Sequence, residues 1–223
     1  MYLSRPSLIP THEEDRLRAL SRYQIVGTAP ESLFDELTAL TAKLFGAPIA
    51  LISLVAEGSV WFKANFGLPG AERVAGSESL CSVAILHDQA TVFEDLPNRP
   101  CTLIEPRVLE ELQLKFYAGQ PLKTSDGFNI GALCVIDRHA RTLSADELEL
   151  LKQLAATVML LLELRRAGNP SAAPTEQAWD KPYPTVSPLI HSLTLLAEIG
   201  STGAAVDVRG NAVATSAIHY EAG

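Results

Sequence analysis

Two runs of strand-forming residues, 114–122 and 129–136, flank an Asp126–Gly127 pair, and this arrangement constrains the fold more than any other feature of the chain. Asp-Gly suits a tight reversal, so the runs are expected to pair as an antiparallel hairpin. Phe116, Ala118, Ile130, Ala132, Cys134 and Ile136 share one alternation, and Tyr117, Leu133 and Val135 the other. Apolar residues on both alternations require a sheet covered on both faces. The expected covers are a helical layer on one side and loops with a short helix on the other.

Three further runs, 48–55, 59–65 and 91–94, are rich in strand formers. Helix starts are marked by hydroxyl residues with a glutamate three positions on: Thr11 with Glu14, Thr28 with Glu31, and Ser144 with Glu147. This is the spacing of a capping box. Leu17 and Leu20 share a side of the first helix, and Leu33, Leu37, Leu40 and Leu44 form a single stripe on the second, so both are expected to lie on apolar surface. The third helix, from 144 to about 166, has two apolar seams: Leu151, Ala155, Val158 and Leu162, and Leu150, Leu154 and Leu161. One seam can cover a sheet while the other meets a partner. The first is assigned to a homodimer interface.

Composition narrows the functional classes. The formal net charge of −8 opposes a nucleic-acid partner, which needs a basic face. The apolar run 44–56 is free of charged side chains for thirteen residues against the roughly 20 of a membrane span, so no membrane association is expected. Residues 1–15 lack the apolar stretch of a signal peptide, which places the chain in the cytoplasm. Cys81, Cys101 and Cys134 are odd in number and form no CxxC pair, which suits reduced thiols and opposes a disulfide framework or zinc site. His12, His87, His139, His191 and His219 are scattered without metal-ligand spacing. Neither metal nor cofactor is expected.

The order of two helices, two strands, a small helix near Cys81, a hairpin and a long helix resembles the GAF domain. The strings EEDRLRALSRYQIVGTAPESLFDELTALTAKLFGAPIALISLVAEGSVWFKANFGLP, SESLCSVAIL and KFYAGQPLKTSDGFNIGALCVIDRHARTLSADELELLKQLA carry the resemblance, which covers residues 11 to about 166. They are similar to bacterial sensory GAF domains found before histidine kinases and diguanylate cyclases. The resemblance implies an α+β, PAS-like fold with a central antiparallel sheet of five or six strands. Terminal helices would pack on one face, and a small-molecule pocket could lie on the other, among loops and a short helix. The resemblance gives a GAF domain over 11–167 after an extension over 1–10, while five prolines among Ser, Ala and Thr mark a linker over 168–188, followed by a small tail over 189–223 read as a helix and a hairpin. No kinase, cyclase or phosphodiesterase motif follows the final helix, so output would come from a separate signalling protein such as a histidine kinase. No cysteine precedes a histidine, as bilin attachment would favour, and the Asn-Lys-Phe-Asp-Glu signature of cyclic-nucleotide binders is absent.

For the implied pocket, aromatic walls from Trp61, Phe62, Phe66, Phe116 and Tyr117, with Ser77, Ser79, Cys81 and Ser82, suit a small, mostly apolar ligand. Packing of the same rings in a core explains them too. Lys63, Arg73, Lys115 and Lys123 could add anion recognition, and solvated strand edges account for them equally. The main expectation is a sensor that signals through its terminal helices. An enzymatic alternative follows from similarity to free methionine-R-sulfoxide reductase, a GAF enzyme with redox cysteines in the regions of Cys81 and Cys101. The bland alternative for Cys81 is a buried small residue, and Cys134 reads as strand packing. A third possibility is a dimerisation scaffold with a vestigial pocket.

Overall fold

The computed structural model describes residues 8–104, 109 and 112–168. The linker and tail expected beyond Gly168, and most of the N-terminal extension, lie outside the described residues. In chain order the elements are α1 (Glu13–Ser21), α2 (Ser32–Phe45), β1 (Ile49–Ala56), β2 (Ser59–Phe66), β3 (Arg73–Ala75), a 3₁₀ turn (Gly76–Glu78), α3 (Leu80–Ala84), β4 (Thr91–Phe93), β5 (Phe116–Lys123), β6 (Asn129–Asp137) and α4 (Ala145–Gly168). The strands form one six-stranded sheet in the order β3-β2-β1-β6-β5-β4, with every neighbouring pair antiparallel. The α+β class and the hairpin of β5 and β6 match the reading of the sequence. Gly127, at φ 95°, takes the left-handed conformation that a turn there demands.

Helices α1, α2 and α4 cover one face through a core that includes Leu20, Phe34, Phe45, Leu133, Val135, Leu151 and Val158. The other face meets α3 and loops through Leu51, Leu80, Cys81, Tyr117, Cys134 and Ile136. The face assignment within the hairpin differs from simple alternation. Ala118 pairs with Val135 and Tyr117 with Ile136, so Phe116 and Ala118 lie on the helix face with Leu133 and Val135. A register shift between Leu122 and Lys123 leaves Ile130 as an extra residue, which moves it to the helix face while Ala132, Cys134 and Ile136 stay opposite.

Of the three expected capping boxes, all among the described residues, one forms. Ser144 N–H donates to Glu147 Oε2 at 2.8 Å and Glu147 N–H to Ser144 Oγ at 3.2 Å. At α1 the N-cap is His12, without a side-chain cap, so Thr11 and Glu14 do not pair as expected. At α2 the N-cap is Glu31 itself. Its carboxylate instead accepts from Lys63 Nζ at 2.6 Å and Arg165 Nε at 2.9 Å. Lys63 further donates to Thr28 Oγ1 and Ala29 O, at 2.9 and 2.8 Å. A buried ammonium needs such partners, and their demand outweighs a local cap.

The apolar stripe of α2 also differs from expectation. Phe34, Thr38, Thr41, Ala42 and Phe45 are buried, whereas Leu33, Leu40 and Leu44 are exposed. The threonines can enter the core because their hydroxyls donate to the carbonyls of Phe34 and Leu37, at 2.7 and 2.8 Å. On α4 the assignment of Leu151, Ala155, Val158 and Leu162 to a dimer interface is corrected: all four are buried in the chain's own helix-face core. The outward apolar residues of α4 are Leu160 and Leu164, 58% and 59% exposed.

Candidate functional site

Between the sheet and α3 lies a cavity of about 50 Å³. It exceeds the roughly 10–15 Å³ needed by one water. β1 supplies Ile49 and Leu51, β2 Phe62, β5 Tyr117, β6 Ile136, and the α3 region Ser79, Leu80 and Cys81. Leu68, Val74, Leu109, Leu112 and Leu114 complete an apolar wall, and the half-buried Phe62, Glu78 and Leu112 bring the cavity to the surface.

Phe62, Ser79, Cys81 and Tyr117 therefore meet at the cavity as expected, while the other four candidates do not. Trp61 and Phe116 pack against the helix-face core. Ser82 is buried beside the cavity without lining it, and Phe66 is 43% exposed. A bulge explains the last case. Ile52 pairs with Ala64 and Ser53 with Phe62, so Lys63 is an extra residue that reverses the alternation between Phe62 and Phe66. Lys63 is consequently buried in its ion pair with Glu31, not available to an anion. Lys123 pairs with Asp88 at 2.7 Å, and the Arg73 guanidinium lies 5.2 Å from the Trp61 ring centroid.

Two polar features define the inner end. Tyr117 is fully buried and its hydroxyl has no oxygen or nitrogen partner among the described residues, with the weakly hydrogen-bonding sulfurs of Cys81 and Cys134 beside it. Its ring lies back over Gly119, where a Cβ would stand 2.2 Å from the phenolic oxygen, so only glycine leaves room for this placement. Burial pushes the phenol well above its ordinary pKa, and the adjacent sulfurs of Cys81 and Cys134 reinforce this. The second feature is those sulfurs. Cys81 Sγ and Cys134 Sγ are 3.8 Å apart, because Cys81 on the first turn of α3 faces the middle of β6. Ser79 caps that turn by accepting from Cys81 N–H at 3.2 Å. The Cys134 thiol hydrogen-bonds Cys81 and holds the Cys81 thiol below its ordinary range, against the opposing effect of burial. Burial and the Cys81 sulfur push Cys134 up. Cys101 is buried in the same core cluster. Alternation on β6 marked Cys134 for the core, but no local pattern could show that Cys81, 53 residues away, meets it.

The sequence profile of the GAF domain family matches residues 29–162. The chain belongs to this family. The GAF domain is 32% identical over 167 residues to a cyclic di-GMP phosphodiesterase of Pseudomonas aeruginosa, a stretch that is 74% of this chain and 28% of the relative. The chain thus spans well under a third of that protein's length. Among solved structures, the GAF domain of an Acinetobacter phosphoenolpyruvate-protein phosphotransferase superposes with TM-score 0.53 at 16% identity, covering 72% of this chain and 99% of that one. A domain of a Sinorhizobium meliloti two-component sensor histidine kinase gives 0.50 at 15% identity, covering 66% and 100%. The free methionine-R-sulfoxide reductase of Neisseria meningitidis, solved with its substrate, gives 0.50 at 16% identity, covering 75% and 98%. At these identities the likeness establishes the shared fold.

Proposed function

We propose that this GAF domain is a sensory module: its cavity binds a small, mostly apolar molecule with one hydrogen-bonding end, and its terminal helices carry the signal. The observation that supports this most is the buried hydroxyl of Tyr117, a residue that lines an apolar cavity, left without an oxygen or nitrogen partner. A buried polar group without a partner costs about 1–3 kcal/mol, and a ligand atom that hydrogen-bonds it would recover part of that. A route to the helices is present. β2 carries Phe62 into the cavity and, on the next residue, Lys63 into the ion pair with Glu31, which also binds Arg165 near the end of α4. A ligand that shifts β2 would act on both partners of that carboxylate, provided it binds the two arrangements with different affinity.

A cytoplasmic setting, where unpaired cysteines stay reduced, suits this reading. The proposed output is a signalling module such as a histidine kinase, or a cyclic di-GMP phosphodiesterase like the relative above. Assembly is a homodimer through the outward face of α4, where Leu160 and Leu164 lie one turn apart beside Ala156 and Ala167. Thermal unfolding against a metabolite panel tests the sensory reading. A true ligand at about 100 times its Kd adds roughly 2.7 kcal/mol of stability, a shift of several degrees, in the wild type and a smaller one in Tyr117→Phe. If no compound shifts the midpoint, the cavity is vestigial and the domain a scaffold.

The thiol-reductase alternative draws on the lowered Cys81 thiol. Turnover of free methionine sulfoxide with dithiothreitol that is lost in Cys101→Ser would favour it over the sensor.

A further inference from the structure

The paired sulfurs behind the cavity are not used by ligand binding, and they differ from the pair that the reductase alternative invokes. Cys81 lines the cavity and Cys134 sits behind it, 3.8 Å away sulfur to sulfur. A disulfide needs about 2.05 Å, so the two thiols are in van der Waals contact and must close by about 1.8 Å to bond. Both are nearly inaccessible from outside, Cys81 being 2% and Cys134 0% exposed. The cavity is the approach to Cys81, and its 50 Å³, a few times the roughly 10–15 Å³ that one water needs, has room for a peroxide.

We propose that Cys81 and Cys134 form a redox-modification site for peroxide, in which the cavity admits the small oxidant to Cys81 and Cys134 resolves the product as an intrachain disulfide. In the first step the Cys81 sulfur attacks one peroxide oxygen. An S–O bond forms and the O–O bond breaks, leaving Cys81 as a sulfenic acid, while the departing hydroxide takes the thiol proton and leaves as water. In the second step the Cys134 sulfur attacks Cys81 Sγ. The S–S bond forms, the S–O bond breaks, and the hydroxyl leaves with the Cys134 proton as a second water. The two sulfurs lose two electrons and the peroxide gains them. The lowered thiol of Cys81 fits its part as the attacking group, and the raised thiol of Cys134 its part as the later one. Closing the bond draws α3 toward β6 beside the Tyr117 hydroxyl, which alters the cavity wall. The proposal stands on the two sulfurs and the access route, and needs the cavity open to the oxidant.

The full chain, reduced and then treated with hydrogen peroxide, is alkylated, digested and mapped by mass spectrometry. Alkylatable thiols are expected to fall from three per chain to one, that of Cys101, with a single cross-link joining the Cys81 and Cys134 peptides and reversed by dithiothreitol. Cys134→Ser should trap Cys81 as a dimedone-reactive sulfenic acid, and Cys81→Ser should leave Cys134 reduced. Oxidised glutathione, too large for the cavity, should leave both thiols free. A Cys81–Cys101 cross-link, two unreacted thiols after peroxide, or a glutathione adduct on Cys81 would each overturn the proposal. The wild-type map decides by itself if either variant fails to fold.

Discussion

At the scale of single residues, Tyr117 and Gly119 show how the candidate site is built. The phenol turns inward over a residue that lacks a side chain, and so places an oxygen where strand packing would normally place carbon. In the unliganded domain that oxygen is a cost. Tyr117→Phe is therefore expected to unfold in urea at equal or higher denaturant, with a gain of up to about 1 kcal/mol, because the ring stays and the unsatisfied hydroxyl goes. A loss of several kcal/mol would mean that the hydroxyl already has a structural partner. The importance of this residue was only half legible in the sequence. The aromatic character of Tyr117 and Phe62 pointed to the pocket, but Trp61, Phe66 and Phe116 carried the same signal and were placed elsewhere by bulges and strand pairing. Those are long-range features, and no local alternation reports them.

At the scale of elements, strands and helices were largely legible because their apolar periods and turn residues are local. The short β3 was missed, since three residues are too few for a period to register. What local reading lost was the role of residues that look like caps. Glu31 stands three positions after Thr28, yet serves as the bridge between β2 and α4. Burial tends to raise its pKa, but the hydrogen bonds and charges of Lys63 and Arg165 outweigh this and hold it below the ordinary carboxylate value. A carboxylate lowered in the folded state stabilises the fold above its unfolded pKa, and that contribution disappears as pH falls through the folded value. Glu31→Gln should lower stability at pH 7 by about 2 kcal/mol, since it weakens charged hydrogen bonds and leaves the Lys63 ammonium poorly compensated. The gap to the wild type should shrink as pH drops below about 4. Urea unfolding at both pH values measures this, and a gap that persists in acid would show that Glu31 acts by packing alone.

At the scale of the whole molecule, the sheet separates two environments: a helix-face core, and an opposite face with a cavity and two adjacent sulfurs. The seam of α4 that reads as an interface is the one the sheet needs, and Leu160 and Leu164 are the exposed leucines on which the proposed homodimer rests. Light scattering distinguishes these roles. Leu160→Glu should convert a dimer into a folded monomer, whereas Val158→Glu should unfold the chain by burying a charge. A folded, dimeric Leu160→Glu would remove α4 from the interface. The central claim, that the cavity holds a signal molecule, is tested most directly by native mass spectrometry of the protein isolated from its own cells. The account predicts a small added mass on each chain that Tyr117→Phe diminishes; bare chains in both proteins would contradict it.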